Sequence, residues 1–203
     1  PTANLWDAGD MAQVIAAARA SGSIVAIDEA YQPFSSRTYL DVIRANPTAN
    51  AHVLLMRTMS KFGLAGVRIG YMVGPKALIA QVDKVRPPYN ISVLNYECAL
   101  FALEHKDVFS TQAVELIAQR AMLFDSLSSI PNVKPFKSDA NMMLLRVQGG
   151  NDAAAKTFEG MKAKGVLIKN ISKMHPLLTG CLRLTVGTAE ENATMVAAIK
   201  ASL

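Results

Sequence analysis

An aspartate, a lysine and an arginine are the residues of this chain whose types and spacing best suit chemistry. Asp28 follows the apolar residues 24–27, and Lys61 comes shortly after a second apolar run at residues 51–56. Arg68 lies a short loop beyond Lys61. Because open α/β sheets place ligands at the carboxyl ends of parallel strands, we expect these three side chains to serve one site.

The chemistry that this set suits is that of pyridoxal phosphate. A lysine amine forms an imine with it, a carboxylate keeps its ring nitrogen protonated, and a planar guanidinium binds its phosphate. Partial burial and the nearby Arg68 would favour the neutral Lys61 amine that imine formation needs. Alone, Asp28 is typical of a cap and Lys61 of a solvated surface residue, so the combination carries the prediction.

Polar and glycine residues around this set extend the prediction. Thr58 and Ser60 add hydroxyl groups near the predicted phosphate site. Tyr31 is placed to donate to the phenolate oxygen of the cofactor, although alone it is typical of a half-buried tyrosine. Gly63 and Gly66 are expected to let the backbone turn tightly between the lysine and the arginine.

Hydrophobic periodicity predicts an α/β protein with two sheets. In the first part, continuous apolar runs predict a strand buried on both faces at residues 23–27 and a second buried strand at 51–56. A third strand is expected at 67–73, and helices are expected at 7–20, 38–45, 75–85, 93–104 and 107–127. The remainder predicts strands at 133–136, 141–147 and 182–186, with helices at 152–164 and 190–202. We therefore expect two domains, residues 1–110 and 111–203.

Composition excludes several functional classes. The chain has 203 residues, of which 51% are hydrophobic, as is ordinary for a soluble α/β protein. The net charge of +5 comes from scattered basic residues, which argues against nucleic-acid binding and fits phosphate or carboxylate ligands. No apolar stretch is long enough to span a bilayer and no charged leader precedes one, so we expect a cytoplasmic protein without membrane contact.

Cysteines and histidines add little to the predicted chemistry. Cys98 and Cys181 lie far apart, which predicts two buried thiols in a reducing compartment and no metal site. His52 is expected beside a strand, His105 near a helix end, and His175 in a loop near the substrate. None of them is needed for the chemistry described above.

The motifs resemble those of a known family. Asp-Glu-Ala-Tyr at 28–31, followed by Arg-Thr-x-Ser-Lys-x-Gly-Leu-Ala-Gly-x-Arg-x-Gly-Tyr at 57–71, resembles the fold-type I aminotransferases of the aspartate aminotransferase superfamily. Residues 84–90 and 181–192 further resemble the histidinol-phosphate aminotransferases. The resemblance implies part of a large three-layer α/β/α domain with a mixed, mainly parallel sheet, and a small C-terminal α/β domain.

The resemblance also implies roles for individual residues around pyridoxal phosphate. Asp28 is expected to contact the pyridine nitrogen and Tyr31 the phenolic oxygen. Lys61 is expected to form the internal aldimine, while Ser60 and Arg68 hold the phosphate. Thr58 is expected beside them in the cofactor site.

Two cations of the C-terminal part are candidates for substrate binding. Arg183 lies among apolar strand residues, which predicts a buried anionic partner or, alternatively, an ion pair with Glu190 or Glu191. The resemblance assigns it to the substrate phosphate. Lys169 falls where many family members carry a second substrate-binding arginine, and a lysine supplies the charge without the planar fork.

The function implied by the resemblance is transamination of L-histidinol phosphate with glutamate and 2-oxoglutarate by a homodimer, in histidine biosynthesis. An aromatic amino-acid aminotransferase or a threonine-phosphate decarboxylase would share Asp28, Lys61 and Arg68, and a non-catalytic fragment is a further alternative. Residues 1–3 resemble the end of the family's Asn-Pro-Thr-Gly turn. We therefore expect an N-terminal portion, with more of the active site and a tyrosine given to the dimer partner, to precede residue 1.

Overall fold

A computed structural model describes residues 2–203 and groups them into two units. One unit comprises Trp6–Ala113, and the other comprises residues 2–5 together with Val114–Leu203. Their correspondence to the predicted domains 1–110 and 111–203, and to the large and small domains of the resembled family, stays a prediction.

The unit of Trp6–Ala113 contains the Asp28 and Lys61 motifs. Its strands are β1 (Val25–Asp28), β2 (Val53–Thr58) and β3 (Gly70–Val73). Its helices are α1 (Ala8–Ala20), α2 (Tyr39–Ala45), α3 (Lys76–Asp83), α4 (Val93–Glu104) and the first part of α5 (Lys106–Ser128). Each predicted helix and strand of this region is present, with ends displaced by at most three residues.

The three strands form one mixed sheet in the order β1-β2-β3. Strands β1 and β2 run parallel, with Asp28 opposite Met56, whereas β2 and β3 run antiparallel, with Thr58 opposite Gly70. Because β1 and β2 are parallel, their carboxyl ends lie at the same end of the sheet, and the motifs that follow both strands begin there.

Helix α1 begins where the sequence predicts. The Asp7 carboxylate accepts hydrogen bonds from the backbone N–H groups of Gly9 at 2.7 Å and Asp10 at 3.2 Å, which caps the helix. Gly22, with φ of +70°, follows the last turn as the predicted stop. On its inner face, Ile15 packs against Ile27 and Leu55 of the sheet.

The prediction that β1 is buried on both faces is wrong. Ile27 is buried against the helices, but Ala26 and Asp28 are exposed. Successive strand residues point to opposite faces, so among residues 2–203 the face of β1 that carries Ala26 and Asp28 is open. In the central strand β2, Leu54 and Leu55 are both buried, as predicted.

The second unit has an antiparallel sheet in the order β4-β5-β7-β6. Its strands are β4 (Val133–Pro135), β5 (Met142–Val147), β6 (Lys169–Asn170) and β7 (Cys181–Thr185), and its further helices are α6 (Gly150–Ala163) and α7 (Ala189–Lys200). Leu127, Leu145 and Leu184 are fully buried in its core. The sequence did not predict β6, because two residues are too few to show alternation.

The expectation of two buried thiols is wrong for Cys98, which lies on helix α4. Cys181 is buried, but Cys98 is exposed on α4. The helix packs through Ala99 and Ala102, whereas Phe101 and other large apolar side chains on its other faces are exposed.

No helix formed by residues 2–203 is both long and apolar enough to cross a membrane.

We expect Leu55→Ala to lower the free energy of unfolding by about 2–5 kcal/mol, because it leaves a cavity beneath the sheet that carries the motifs. Leu55 is 0% exposed, whereas Leu94 on α4 is 77% exposed. Leu94→Ala is the matched control and should change stability by no more than about 0.5 kcal/mol. Urea denaturation measures both, and equal effects would contradict this packing.

Candidate active site

Asp28 occupies the carboxyl end of β1. Its Oδ1 accepts a hydrogen bond from the Ala30 N–H at 2.8 Å, an arrangement that starts the turn after the strand. The side chain is therefore held in place, as a capping aspartate would be. Among residues 2–203 no hydrogen bond reaches Oδ2, so this oxygen of an exposed residue is accessible to a ligand.

Lys61 and Tyr31 come together from the ends of different strands. Lys61 ends a short 3-10 turn, Met59–Lys61, that follows β2, and Tyr31 precedes the 3-10 turn Gln32–Phe34 that follows β1. The Lys61 Nζ lies 5.1 Å from the centroid of the Tyr31 ring, within the range of a cation–π contact. Both residues are half-buried, so the amine is held close to the strand ends.

Hydroxyl groups and a guanidinium gather on the loop that follows β2. The Thr58 Oγ1 accepts from the Ser60 N–H at 3.0 Å and donates to the Ile69 carbonyl at 3.3 Å, so its proton is already used within the protein. The Arg68 Nη1 donates to the Ser60 Oγ at 3.4 Å and to the Ala65 carbonyl at 3.3 Å. Its other N–H groups have no hydrogen-bond partner within residues 2–203, and Arg68 is exposed.

Arg68 has a left-handed backbone, with φ of 54° and ψ of 37°. This conformation is uncommon for residues other than glycine, asparagine and aspartate, and it costs of order 1 kcal/mol. It follows the 3-10 turn Ala65–Val67, immediately before the chain enters β3. The strained backbone therefore belongs to Arg68, whose guanidinium has unpaired N–H groups among residues 2–203.

Only one of the two loop glycines is required by the backbone. Gly63 has φ of +115°, and a Cβ at this position would lie 2.6 Å from the Phe109 Cδ1. Gly66 does not have a positive φ, and a Cβ there would meet no atom within 4 Å. The expectation that both glycines permit a tight turn is therefore wrong for Gly66.

A buried ion pair lies behind the motifs, and sequence reasoning missed it. The Glu29 Oε2 accepts from the Arg57 Nη2 at 2.8 Å and from its Nε at 3.0 Å, and the two side chains are 8% and 14% exposed. The Thr38 hydroxyl donates to the same carboxylate at 2.9 Å, and the Tyr39 N–H donates to Oε1 at 2.6 Å. Glu29 thus joins the end of β1, the strand β2 and the start of α2.

The charge of Arg57 is secured by its partners. Burial by itself would lower the pKa of Arg57, but hydrogen bonds with Glu29 and Tyr71 outweigh burial and raise this pKa above its ordinary value. Arg57 therefore stays charged, and the pair fixes the backbone immediately after Asp28 and immediately before Thr58.

Lys169 and Arg183 lie in the unit that contains Val114–Leu203. They are directly opposite each other in the antiparallel pair β6–β7, so their side chains share one face of the sheet. Arg183 is half-buried and Lys169 is exposed. Neither Glu190 nor Glu191 forms the ion pair with Arg183 that the sequence left open, and Glu191 instead accepts from the Thr188 N–H at 2.8 Å in the cap of α7.

The three histidines have local structural contacts. The His52 Nε2 lies 2.9 Å from the carbonyl oxygen of Ile15, and His105 at the end of α4 meets the Phe101 ring edge-on, with centroids 4.4 Å apart. The His175 Nδ1 accepts a backbone N–H two residues later at 3.2 Å. His52 and His105 lie where they were predicted, and the placement of His175 near a substrate stays a prediction.

Comparison with known proteins decides the family. The sequence profile of the family described as aminotransferase class I and II matches residues 1–199. The chain belongs to this family. It is 63% identical over 203 residues to the histidinol-phosphate aminotransferase of Polaromonas naphthalenivorans (strain CJ2), covering 100% of the chain and 53% of that protein. It is 60% identical over 204 residues to the enzyme of the same name from Acidovorax sp. (strain JS42), covering 100% of the chain and 54% of that protein. The chain therefore spans about half the length of these relatives.

Solved structures of two aminotransferases share the fold. The histidinol-phosphate aminotransferase of Clostridium acetobutylicum matches with a TM-score of 0.86 at 19% identity, over 98% of this chain and 60% of that chain. The histidinol-phosphate aminotransferase of Sinorhizobium meliloti, solved in complex with pyridoxal-5'-phosphate, matches with a TM-score of 0.80 at 24% identity, over 98% and 54%. These likenesses confirm the predicted α/β architecture of fold-type I enzymes.

In the loop between Lys61 and Arg68 we expect Gly63→Ala to lower the free energy of unfolding by about 1–3 kcal/mol, because it combines a strained φ with a clash against Phe109. Gly66→Ala, in the same loop, is the control. It should be neutral or stabilising by up to about 1 kcal/mol, because its backbone and surroundings accept a methyl group. Thermal and urea unfolding measure both variants, and a larger loss for Gly66→Ala would contradict the loop geometry.

Glu29→Ala should cost about 3 kcal/mol or more of unfolding free energy, because it leaves the Arg57 charge buried without its partner. The exposed pair Arg86–Asp83 provides the control, since the Asp83 side chain is 61% exposed. Asp83→Ala should cost less than about 1 kcal/mol. Similar losses of unfolding free energy for the two variants in urea denaturation would show that the Glu29–Arg57 pair stabilises the protein no more than the exposed pair does.

Proposed function

We propose that the protein to which this chain belongs is a cytoplasmic, homodimeric, pyridoxal phosphate-dependent aminotransferase of histidine biosynthesis. It would exchange an amino group between L-histidinol phosphate and 2-oxoglutarate. The observation that carries the proposal is the contact between Lys61 and Tyr31, which follow β2 and β1, in a member of the aminotransferase family. The contact of Arg68 with Ser60 and the position of Asp28 at the end of β1 support it. The names of relatives at 60–63% identity support the choice of substrate.

The side chains present fit the groups of pyridoxal phosphate. A phosphate dianion suits the Arg68 guanidinium, whose N–H groups are partly unpaired, together with the adjacent Ser60 hydroxyl. The accessible Oδ2 of Asp28 suits a protonated ring nitrogen. Lys61 supplies the only lysine amine in the two motifs. Thr58 would act mainly by holding the backbone of Ser60.

Bound pyridoxal phosphate would supply an electron sink for the charge left at the substrate α-carbon. The Lys61 Nζ would hold the cofactor covalently and, once released, carry the proton at that α-carbon. The Tyr31 ring, 5.1 Å from Nζ, would restrict where the amine can move, and its hydroxyl would donate to the phenolic oxygen. Asp28 would keep the ring nitrogen protonated throughout.

The pair of cations on β6 and β7 supports an anionic substrate. Like charges directly opposite each other in an antiparallel pair are destabilising unless an anion lies between them. Lys169 and Arg183 form such a pair and have no acidic partner within 4.0 Å among residues 2–203. The phosphate of histidinol phosphate and the side-chain carboxylate of glutamate would both suit them, which fits an enzyme that handles the two substrates in turn.

The full-length protein tests this proposal in two steps. Reduction with borohydride in the presence of pyridoxal phosphate, followed by peptide mapping, should place the label on Lys61 and on no peptide of Lys61→Ala. Amino transfer to 2-oxoglutarate should then be fastest from histidinol phosphate, compared with phenylalanine and threonine phosphate. Label without turnover of histidinol phosphate would overturn the substrate, and absence of label would favour the non-catalytic alternative.

Arg68→Gln should weaken pyridoxal phosphate binding by roughly 10- to 100-fold, because a hydrogen bond to a charged group contributes about 1.5–3 kcal/mol. Arg44→Gln removes an exposed arginine from α2 and should leave the affinity unchanged. Equilibrium dialysis of the full-length apoenzyme measures both dissociation constants. If the two variants bind equally well, Arg68 does not hold the phosphate.

A further inference from the structure

The turn that carries Lys61 packs against an aromatic side chain from a distant part of the sequence. Phe109 lies near the start of α5, in the same unit as Lys61. Its ring meets the Phe62 ring with centroids 4.9 Å apart and planes inclined by 35°, a favourable arrangement for two aromatic side chains. Because Phe62 directly follows Lys61, this contact acts on the backbone beside the amine.

The ring of Phe109 also lies directly against the backbone of Gly63. A Cβ at position 63 would lie 2.6 Å from the Phe109 Cδ1 and 2.9 Å from its Cε1, so only a residue without a side chain leaves room for the ring. Phe109 therefore covers the two residues that follow Lys61. Phe62 and Phe109 further pack against one buried cluster, which includes Met59.

The position of the Lys61 amine depends on the backbone of this turn. The Nζ meets the Tyr31 ring at 5.1 Å and forms no hydrogen bond or ion pair within the described part of the chain. The turn is closed by the Met59 carbonyl, which accepts the Phe62 N–H at 3.1 Å. This hydrogen bond lies within the turn and does not hold it against the helices, whereas the packing of Phe109 does.

The groups proposed for the cofactor phosphate are held differently. The Ser60 N–H donates to the Thr58 Oγ1, and the Arg68 Nη1 donates to the Ser60 Oγ and to the Ala65 carbonyl. None of these hydrogen bonds involves Phe109. Loss of the Phe109 ring should therefore disturb the lysine more than it disturbs the phosphate contacts.

We propose that Phe109 is a positioning residue for Lys61. The inference rests on the proposed function, in which the Lys61 Nζ gives up two protons and bonds the aldehyde carbon of pyridoxal phosphate, with release of the aldehyde oxygen as water. By holding residues 61–63 against α5, Phe109 keeps the Nζ within reach of that carbon. A displacement of about 1 Å is enough to remove much of the advantage of proximity.

Equilibrium dialysis of the full-length apoenzyme with two ligands tests this role. Pyridoxine 5'-phosphate has an alcohol in place of the aldehyde, so it offers the same ring and phosphate but cannot bond to the amine. Phe109→Ala should weaken pyridoxal phosphate binding by roughly 10- to 100-fold and pyridoxine phosphate binding by less than about 3-fold. A merely structural role would leave the ratio of the two affinities unchanged.

Phe101→Ala is the matched control, because the Phe101 side chain is 62% exposed on α4 and its ring meets His105 instead of the lysine turn. It should bind both ligands as the unchanged protein does. Phe109→Leu keeps apolar volume without the flat ring and should weaken pyridoxal phosphate binding selectively by roughly 3- to 10-fold. This second variant decides the matter if Phe109→Ala fails to fold, since retained binding of pyridoxine phosphate shows that the cofactor site is intact.

The outcomes separate this inference from the proposed function. Equal weakening of both ligands in the Phe109 variants, or no weakening beyond that of Phe101→Ala, would overturn the positioning role. If the unchanged protein binds the two ligands equally well and takes no borohydride label at Lys61, the proposed function fails. If it prefers pyridoxal phosphate and Phe109→Ala keeps the same preference, only the role of Phe109 fails.

Discussion

The buried ion pair between Glu29 and Arg57 is the constraint on which the arrangement of the motifs depends. Glu29 directly follows Asp28, and Arg57 directly precedes Thr58, so one carboxylate fixes the backbone at the ends of two parallel strands. The hydrogen bonds from Thr38 and Tyr39 extend this constraint to the start of α2. A buried charge is costly alone but rigid when fully paired. Asp28 and Thr58, which we propose for the cofactor site, therefore adjoin this pair without being part of it.

Sequence reasoning correctly placed Asp28 and Lys61 at or just beyond the carboxyl ends of strands. Asp28 directly follows one apolar run and Lys61 shortly follows the next, so their positions at the carboxyl ends of strands could be predicted. Glu29 could not be assigned in the same way, because its partner is 28 residues away and only tertiary folding brings the two together. The two-residue strand β6, the exposure of Cys98 and the open face of β1 also depend on which neighbours pack nearby, and a local pattern does not contain that information.

The two units place positive charge differently. In the unit of Trp6–Ala113, Arg68 is exposed on a loop, where it can meet a small anion without first breaking a protein contact. On β6 and β7, Lys169 and Arg183 are fixed in opposition by the hydrogen bonds of a sheet. A loop cation adapts to its ligand, whereas a cross-strand pair presents a fixed separation. Under the proposed function, the loop cation would hold the phosphate of the cofactor and the cross-strand pair would hold the substrates.

The left-handed backbone of Arg68 has a consequence for how this protein can change over evolutionary time. A glycine at position 68 would relieve the backbone and would be favoured by selection for stability alone. It would also remove the guanidinium beside Ser60. Under the proposed function, folding and cofactor binding therefore place opposite demands on this one residue.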